Sequence, residues 1–423
     1  MYKVIKKNSY WKDVFLQASG NTIAQVIGIL GMPILTRLYA PEAFATQAIF
    51  VQVVGFLAAF ISFRFEYFLQ LLDDITQSYS FILWILCVGF IMTLFSTLVI
   101  FILNITNFFD FFNIITSSIF YLAPVAAYSI CISTAIKHEA QRQGDFKSTS
   151  IAEVSSKFSY IASGAILSLF LNNLGLILTT VFGSIGRIIS LRGYFLSFIS
   201  NIKKINIDKK LLNVYRGRAK GMVLSNTILS FSSLLPMFFI SKQFGANTLG
   251  QFSLVMATVF LPSGLIGSAV GNVFYQRSAQ LWNLKNFIGL KYLWTETLVK
   301  LILFGLPIYL IIFLVSSRAY PFVFGNQWLQ AGEVAKLMSI AAFFSFLAGP
   351  LDRMSLVLGI GYYLPLIHFC RVLMIISVMA LVYILNLEYI DFILIFSIGM
   401  SLIYFFDIIL CRFYFLQKWT ELK

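Results

Sequence analysis

Residues 81–103 read FILWILCVGFIMTLFSTLVIFIL, an apolar run that contains no Asp, Glu, Lys or Arg. At about 1.5 Å per residue, an α-helix of this length crosses a hydrocarbon core of about 30 Å. The whole sequence has the same character, since 59% of its 423 residues are hydrophobic and 11% are charged. A soluble globule of this size needs more polar surface. The sequence therefore predicts an integral membrane protein.

Apolar stretches of similar length recur along the chain and predict an all-α fold with about twelve transmembrane helices. A single offset of 205 residues places Asn-Thr-Ile at 21–23 onto Asn-Thr-Ile at 226–228, and Arg37 onto Lys242. A repeat of this length predicts two homologous six-helix bundles. The predicted spans are 14–36, 42–63, 81–103, 114–136, 149–171, 174–196, 221–241, 250–272, 296–316, 334–356, 362–385 and 391–413.

The most basic and least apolar segment lies between the two halves, where residues 201–220 read NIKKINIDKKLLNVYRGRAK. Its composition is typical of a loop at an aqueous surface. We therefore expect an N-terminal bundle at 1–199, a basic cytoplasmic linker at 200–220 and a C-terminal bundle at 221–423.

Lys and Arg residues predict the orientation in the membrane, because cytoplasmic loops are enriched in them. Of the 31 basic residues, 23 lie on one predicted side and four on the other. Both termini and the linker are thus expected in the cytoplasm, with the two bundles in the same orientation. The net charge of +14 is spread over many short loops. It therefore predicts membrane topology, and we expect no nucleic-acid partner.

Sequence motifs for catalysis are missing from the chain. It contains no GxxxxGK[ST] loop for nucleotide phosphates and no HExxH helix for zinc. The four cysteines form no CxxC pair, and all of them lie in apolar runs. We expect neither a catalytic residue nor a metal site.

Polar residues inside spans one and seven form stripes at helical spacing. Asn21 and Gln25 share one arc of the first helix, and Asn226 and Ser230 share the repeat-related arc of the seventh. Such stripes either line an aqueous cavity or mediate helix packing in the bilayer. Their repetition favours a cavity.

Basic residues at membrane depth are the second signal. Lys157, Arg187, Lys300 and Arg371 lie inside predicted spans, and Arg64 lies at the cytoplasmic end of span two. Lys300 is interpreted as a long basic side chain whose amine extends to the membrane–water interface. Buried cations of this kind otherwise mark the path of an anionic substrate. Arginine in particular suits bidentate contact with phosphate oxygens.

Two of these residues have acidic neighbours in the sequence. Glu153 and Lys157 have the i, i+4 spacing of a helical ion pair, which is the structural alternative for Lys157. Glu66 follows Arg64 by two residues, a spacing that on a regular helix does not bring the two side chains together.

Four segments carry a resemblance to a known family. They are LTRLYAPEAFA at 35–45, SFRFEYFL at 62–69, SKQFGANTLGQFSL at 241–254 and VFGNQWLQAG at 323–332. They resemble the polysaccharide-repeat-unit (O-antigen, Wzx-type) flippases of the multidrug/oligosaccharidyl-lipid/polysaccharide (MOP) exporter superfamily.

The resemblance implies a MATE-like pair of bundles that works by alternating access in the bacterial cytoplasmic (inner) membrane. It implies transport of undecaprenyl-diphosphate-linked oligosaccharides to the outer leaflet for O-antigen or capsule. Partners would be a glycan polymerase and a chain-length regulator. Together with the residues above, it gives the hypothesis that Arg64, Arg371, Arg187 and Lys157 bind the diphosphate, while Asn21, Gln25, Asn226 and Ser230 face the sugars.

Two alternatives stay open at the level of sequence. A cation-coupled multidrug exporter of the same superfamily commonly carries an acid in span one or seven, and here Asp13 lies only at the entrance of span one. A membrane glycan polymerase or glycosyltransferase is expected to have a large outward loop or a catalytic acid pair. A transporter would need no cofactor beyond a coupling ion, H⁺ or Na⁺, which the sequence does not distinguish.

Overall fold

The computed structural model describes residues 7–72, 74–106, 117–202 and 209–421, and within these ranges it contains fourteen α-helices and no strand. Eleven helical segments of this part of the chain are long and apolar enough to cross a membrane. One of them, Phe146–Ser190, contains the predicted span 149–171 and most of the predicted span 174–196, and it bends between them at Asn172, whose φ of 42° and ψ of −128° are not helical. The predicted all-α membrane fold is confirmed.

The helices form two compact units, Met1–Ser230 and Phe231–Lys423. The first unit contains α1 Lys7–Leu38, α2 Pro41–Ile61, α3 Ile75–Ile105, α4 Leu122–Arg142, α5 Phe146–Ser190, α6 Arg192–Asn201 and the start of α7 Lys209–Phe244. The second contains the end of α7, α8 Ala246–Val259, α9 Leu261–Asn283, α10 Phe287–Phe324, α11 Leu329–Leu351, α12 Met354–Val357, α13 Tyr363–Ile384 and α14 Tyr389–Glu421. Short 3₁₀ helices cover Phe65–Leu71, Ser117–Tyr121 and Asn326–Trp328.

The expected linker at 200–220 differs from the structure. Residues 209–220 belong to α7, so the seventh membrane helix begins well before residue 221. Lys, Leu, Arg and Ala, which dominate this stretch, have high helix propensity, and the helix therefore continues out of the apolar region. Residues 200 and 201 belong to the end of α6, and residues 203–208 lie outside the described residues. The compact units divide inside α7, after Ser230.

In the first unit, α4 lies at the centre and packs against α2, α3 and α5. Small side chains such as Ala123, Ala127 and Ala135 are fully buried there, which lets neighbouring helices approach closely. Helix α1 packs along α5 in the same manner. A methyl group added at Gly31 would lie 2.1 Å from Cδ1 of Ile161, so this contact requires glycine.

In the second unit, α11 occupies the central position and packs against α8, α9, α10 and α14. Its buried face again carries alanines, including Ala331, Ala335 and Ala342. The hydroxyl of Ser397 on α14 donates to the carbonyl oxygen of Leu337 at 2.7 Å. Each unit is thus organised around one helix that neighbouring helices bury.

Candidate functional site

Arg64 lies in a sharp turn between α2 and the 3₁₀ helix Phe65–Leu71. Its φ of 60° and that of Phe63, 47°, place two successive residues in the left-handed region. Few residues other than glycine adopt this conformation, and it is found at functional sites. The hydroxyl of Ser62 accepts a hydrogen bond from the Arg64 N–H at 3.2 Å and supports the turn.

The guanidinium of Arg64 has three neighbours, none of which saturates it. Nη2 donates to Oδ1 of Asn226 at 3.2 Å, Nη1 lies 3.7 Å from Oε1 of Glu66, and the group lies 5.8 Å from the centre of the Tyr67 ring. Its Nε is buried and has no hydrogen-bond partner. Donors of Arg64 therefore remain for an additional acceptor.

The contact with Glu66 corrects the sequence argument, which assumed a regular helix. Because the chain turns through left-handed conformations, the two side chains approach each other despite their spacing of two residues. Glu66 is only 2% exposed, and its Oε2 has no hydrogen-bond partner. Burial raises the pKa of Glu66, and the hydroxyl of Ser62 and the charge of Arg64 offset this effect only in part.

A cavity of about 510 Å³ adjoins this turn. Three aromatic side chains line it, those of Phe63, Phe65 and Trp84, and the rings of Phe65 and Trp84 are 4.4 Å apart between centroids. Two cations from the start of α7, Arg216 and Lys220, complete the wall with Asn213 and Ala219. A cavity with an apolar wall and a cationic wall suits an amphiphile with an anionic head group. We call it the Trp84 cavity.

Two further predicted phosphate ligands lie elsewhere in the first unit. Arg187 donates to Oε2 of Glu153 at 3.0 Å and to the hydroxyl of Ser133 at 3.2 Å. Lys137 donates to the other oxygen of Glu153 at 2.8 Å. The i, i+4 spacing predicts an ion pair between Glu153 and Lys157. In the structure Glu153 pairs instead with Lys137 on α4 and with Arg187 near the end of α5.

Lys157 is half-buried, with its amine 5.9 Å from the centre of the Tyr160 ring. Its aliphatic chain passes Gly28 on α1, where an added methyl group would lie 3.9 Å from Cδ of Lys157. Gly28 belongs to the same helix as Asn21 and Gln25, which are exposed. The structure therefore brings Lys157 alongside the helix that carries the first polar stripe.

Both residues of the second polar stripe are half-buried. Asn226 is half-buried, its Nδ2 donates to the carbonyl oxygen of Met222 at 2.8 Å, and its Oδ1 accepts from Arg64. Ser230, one turn further along α7, is also half-buried. The structure thus joins one predicted sugar-facing residue to one predicted phosphate ligand.

Arg371 lies in α13 of the second unit. Its guanidinium lies 5.0 Å from the centre of the Tyr404 ring, and its buried Nε has no hydrogen-bond partner. Nδ1 of His368 is likewise buried without a partner. Asp352 and Asp407 lie within electrostatic range, but neither forms an ion pair with Arg371 among the described residues.

Sequence reasoning missed the residues of the Trp84 cavity. Arg216 and Lys220 were interpreted only as topology signals in a linker. The missing signal was the start of α7 before residue 221. On a helix, residues four positions apart lie on the same face, so Arg216 and Lys220 would then have indicated a basic face of α7 toward a cavity.

A protein-family model described as "Polysaccharide biosynthesis protein" matches residues 34–333 of the chain. No curated protein sequence matches it.

Solved structures with the same fold include transporters and a flippase. The chain is similar to a multidrug resistance MATE family transporter of the MOP superfamily in an inward-facing conformation, with a TM-score of 0.73 and 13% identity over 95% of this chain and 98% of that chain. It is similar to the lipid II flippase MurJ, with a TM-score of 0.65 and 16% identity over 96% and 92% of the two chains. A MOP superfamily transporter from Pyrococcus furiosus gives a TM-score of 0.59 and 12% identity over 96% and 95%. These likenesses confirm the MATE-like fold.

Proposed function

The chain belongs to the polysaccharide biosynthesis protein family, and from that premise we propose that it is a flippase for undecaprenyl-diphosphate-linked oligosaccharides. It would move repeat units from the inner to the outer leaflet of a bacterial cytoplasmic membrane for O-antigen or capsular polysaccharide. Alternating access of its two units would carry the head group across, with both termini in the cytoplasm. A glycan polymerase and a chain-length regulator would act on the product.

The observation that carries this proposal is the position of Arg64 beside the Trp84 cavity. Moving a diphosphate into hydrocarbon without partners costs far more than a flippase can supply, so the pathway needs cations that replace water. Arg216 and Lys220 line the cavity beside its aromatic wall, and Arg64 lies in the chain between two residues of that wall, Phe63 and Phe65. An isoprenoid diphosphate combines the same two properties in one molecule.

In this proposal Arg64 binds the diphosphate and Asn226 holds the guanidinium in place. Arg371, whose Nε is unpartnered, provides a cation for the head group in the second unit. Asn21, Gln25 and Ser230 contact sugar hydroxyls. Arg187 binds the diphosphate through its Nε, which has no hydrogen-bond partner, while Ser133 and Glu153 hold its other two nitrogens. Lys157 provides a further cation beside α1.

Deletion of the gene tests the proposal. Lipid-linked repeat units should accumulate on the inner leaflet, surface glycan should disappear, and the wild-type gene should restore both. If the deletion strain instead retained a drug, the protein would be a multidrug exporter of the same superfamily. If repeat units reached the outer leaflet but stayed unpolymerised, it would be a polymerase. Either result would overturn the flippase proposal.

A further inference from the structure

A groove of about 370 Å³ lies between α9 and α10 of the second unit. These two helices form a hairpin that turns at residues 284–286. Most of the lining is apolar and includes Val273 and Leu293. The charged residues of the lining are Arg277, Glu296 and Lys300. None of these residues takes part in the proposed transport site.

The charges in this groove do not cancel. Nζ of Lys300 lies 2.5 Å from Oε1 of Glu296 in an exposed ion pair one helical turn long. Arg277 is exposed and, among the residues that the structure describes, makes neither an ion pair nor a hydrogen bond through its side chain. The groove therefore presents one unpaired positive charge at the edge of an apolar surface.

The surface that continues from the groove is suited to hydrocarbon. Leu303 and Phe304 lie three and four residues beyond Lys300 on α10, and they are 66% and 69% exposed. Large apolar side chains exposed to this extent in a membrane span are solvated by lipid chains. A long basic side chain next to them extends its charge to the level of the head groups.

We propose that this groove is a binding site for a phospholipid with an anionic head group, such as phosphatidylglycerol. Its phosphate pairs with Arg277, and one acyl chain lies along Val273 and Leu293 toward Leu303. A phosphodiester carries one negative charge, which matches the one unpaired cation of the groove. The Trp84 cavity has two cations with Arg64 beside it, and it suits the higher charge of a diphosphate. The groove is therefore a lipid site distinct from the transport pathway.

Native mass spectrometry of the full-length protein in detergent tests this site. The protein is titrated with phosphatidylglycerol and, separately, with phosphatidylcholine that has the same acyl chains. The wild type should bind phosphatidylglycerol several-fold more tightly, and Arg277→Gln should reduce that preference at least fivefold. Lys291→Gln is the matched control, since Lys291 is an exposed basic residue of the same hairpin outside the groove. It should leave the preference unchanged.

Glu296→Gln provides a test in the opposite direction. It removes the carboxylate that holds Lys300, and the released amine should raise the affinity for phosphatidylglycerol two- to fivefold. A purely structural role for these residues predicts no gain. Equal affinity of the wild type for both lipids, or no effect of Arg277→Gln, would overturn the proposal. So would displacement of phosphatidylglycerol by an equal concentration of a polyprenyl diphosphate, because the groove would then belong to the transported substrate.

Discussion

In the first unit Glu66, Glu139 and Glu153 each lie against a guanidinium or an amine, whereas in the second unit Arg371 lies over the ring of Tyr404. Four of the five ion pairs in the described part of the chain belong to the first unit. The fifth, between Lys300 and Glu296, is exposed. The two halves thus share a helical scaffold but hold their cations by different means.

The shared scaffold is visible in corresponding elements. The central helices α4 and α11 correspond at the 205-residue offset, as do α1 with α7 and α2 with α8. Helix α2 packs against α4, and the corresponding helix α8 packs against α11. Packing is therefore repeated between the halves, while the charged groups have diverged. In the proposed function, an asymmetric substrate with one diphosphate would not require the cations of the two halves to match.

The largest effect should come from Arg64. Arg64→Gln removes the cation beside the Trp84 cavity, and we expect export of surface glycan to fall at least tenfold. Arg64→Lys keeps the charge without the bidentate geometry and should retain part of the activity. Immunoblotting of surface glycan in a complemented deletion strain measures both.

Arg192→Gln is the control, since Arg192 is an exposed arginine of the same unit. Wild-type export by a folded Arg64→Gln protein would show that the first unit uses no cation at this position.

The Trp84 cavity should bind polyprenyl diphosphate directly. Replacing both Arg216 and Lys220 with Gln should weaken binding about five- to tenfold, because two charge-assisted contacts are lost. Quenching of tryptophan fluorescence during a titration measures the affinity, and Trp84→Phe should reduce the amplitude of the signal. The paired control is Lys147→Gln with Arg192→Gln. Unchanged affinity in the cavity variant would remove this cavity from the transport site.

Loss of a cation held by an ion pair, as Arg187 is, should destabilise the fold more than loss of a cation that lies over an aromatic ring, as Arg371 does. Arg187→Gln leaves Glu153 with Lys137 as its remaining ion-pair partner, and we expect a loss of about 1–3 kcal/mol in the free energy of unfolding. Arg371→Gln removes a donor that already lacks a partner, so it should cost less. Thermal unfolding of both variants in the same detergent compares them. A larger loss for Arg371→Gln would contradict the comparison between the units.

The smallest effect concerns pH and Glu66. Because burial raises the folded-state pKa of Glu66, this group contributes stability that is fully present below its ordinary pKa of 4.5 and is lost as the pH rises through the higher folded value. The wild-type melting temperature should therefore decline over that range, and Glu66→Gln should flatten the decline. A steeper decline in the variant would show that the folded protein favours the charged form of Glu66, which contradicts a raised pKa.

The repeat and the apolar runs were sufficient to predict the membrane fold, because span length and helix pairing depend on patterns that are local or regular. The partners of Glu153 were not predictable in this way, since Lys137 and Arg187 reach it from positions 16 and 34 residues away. The contact between Arg64 and Asn226 joins residues 162 positions apart. It depends on the left-handed turn at Phe63 and Arg64, which no sequence motif predicts. Arg216 and Lys220 were misplaced because a helix continued where composition predicted a loop.

The most direct measurement is flipping of a fluorescent polyprenyl-diphosphate-linked oligosaccharide in liposomes that contain the purified protein. A membrane-impermeant quencher reports the fraction of label in the outer leaflet over time. The wild type should redistribute the label between leaflets, and Arg64→Gln should slow this at least tenfold while Arg192→Gln does not. Redistribution at the rate of protein-free liposomes, or at equal rates with and without Arg64, would contradict the account.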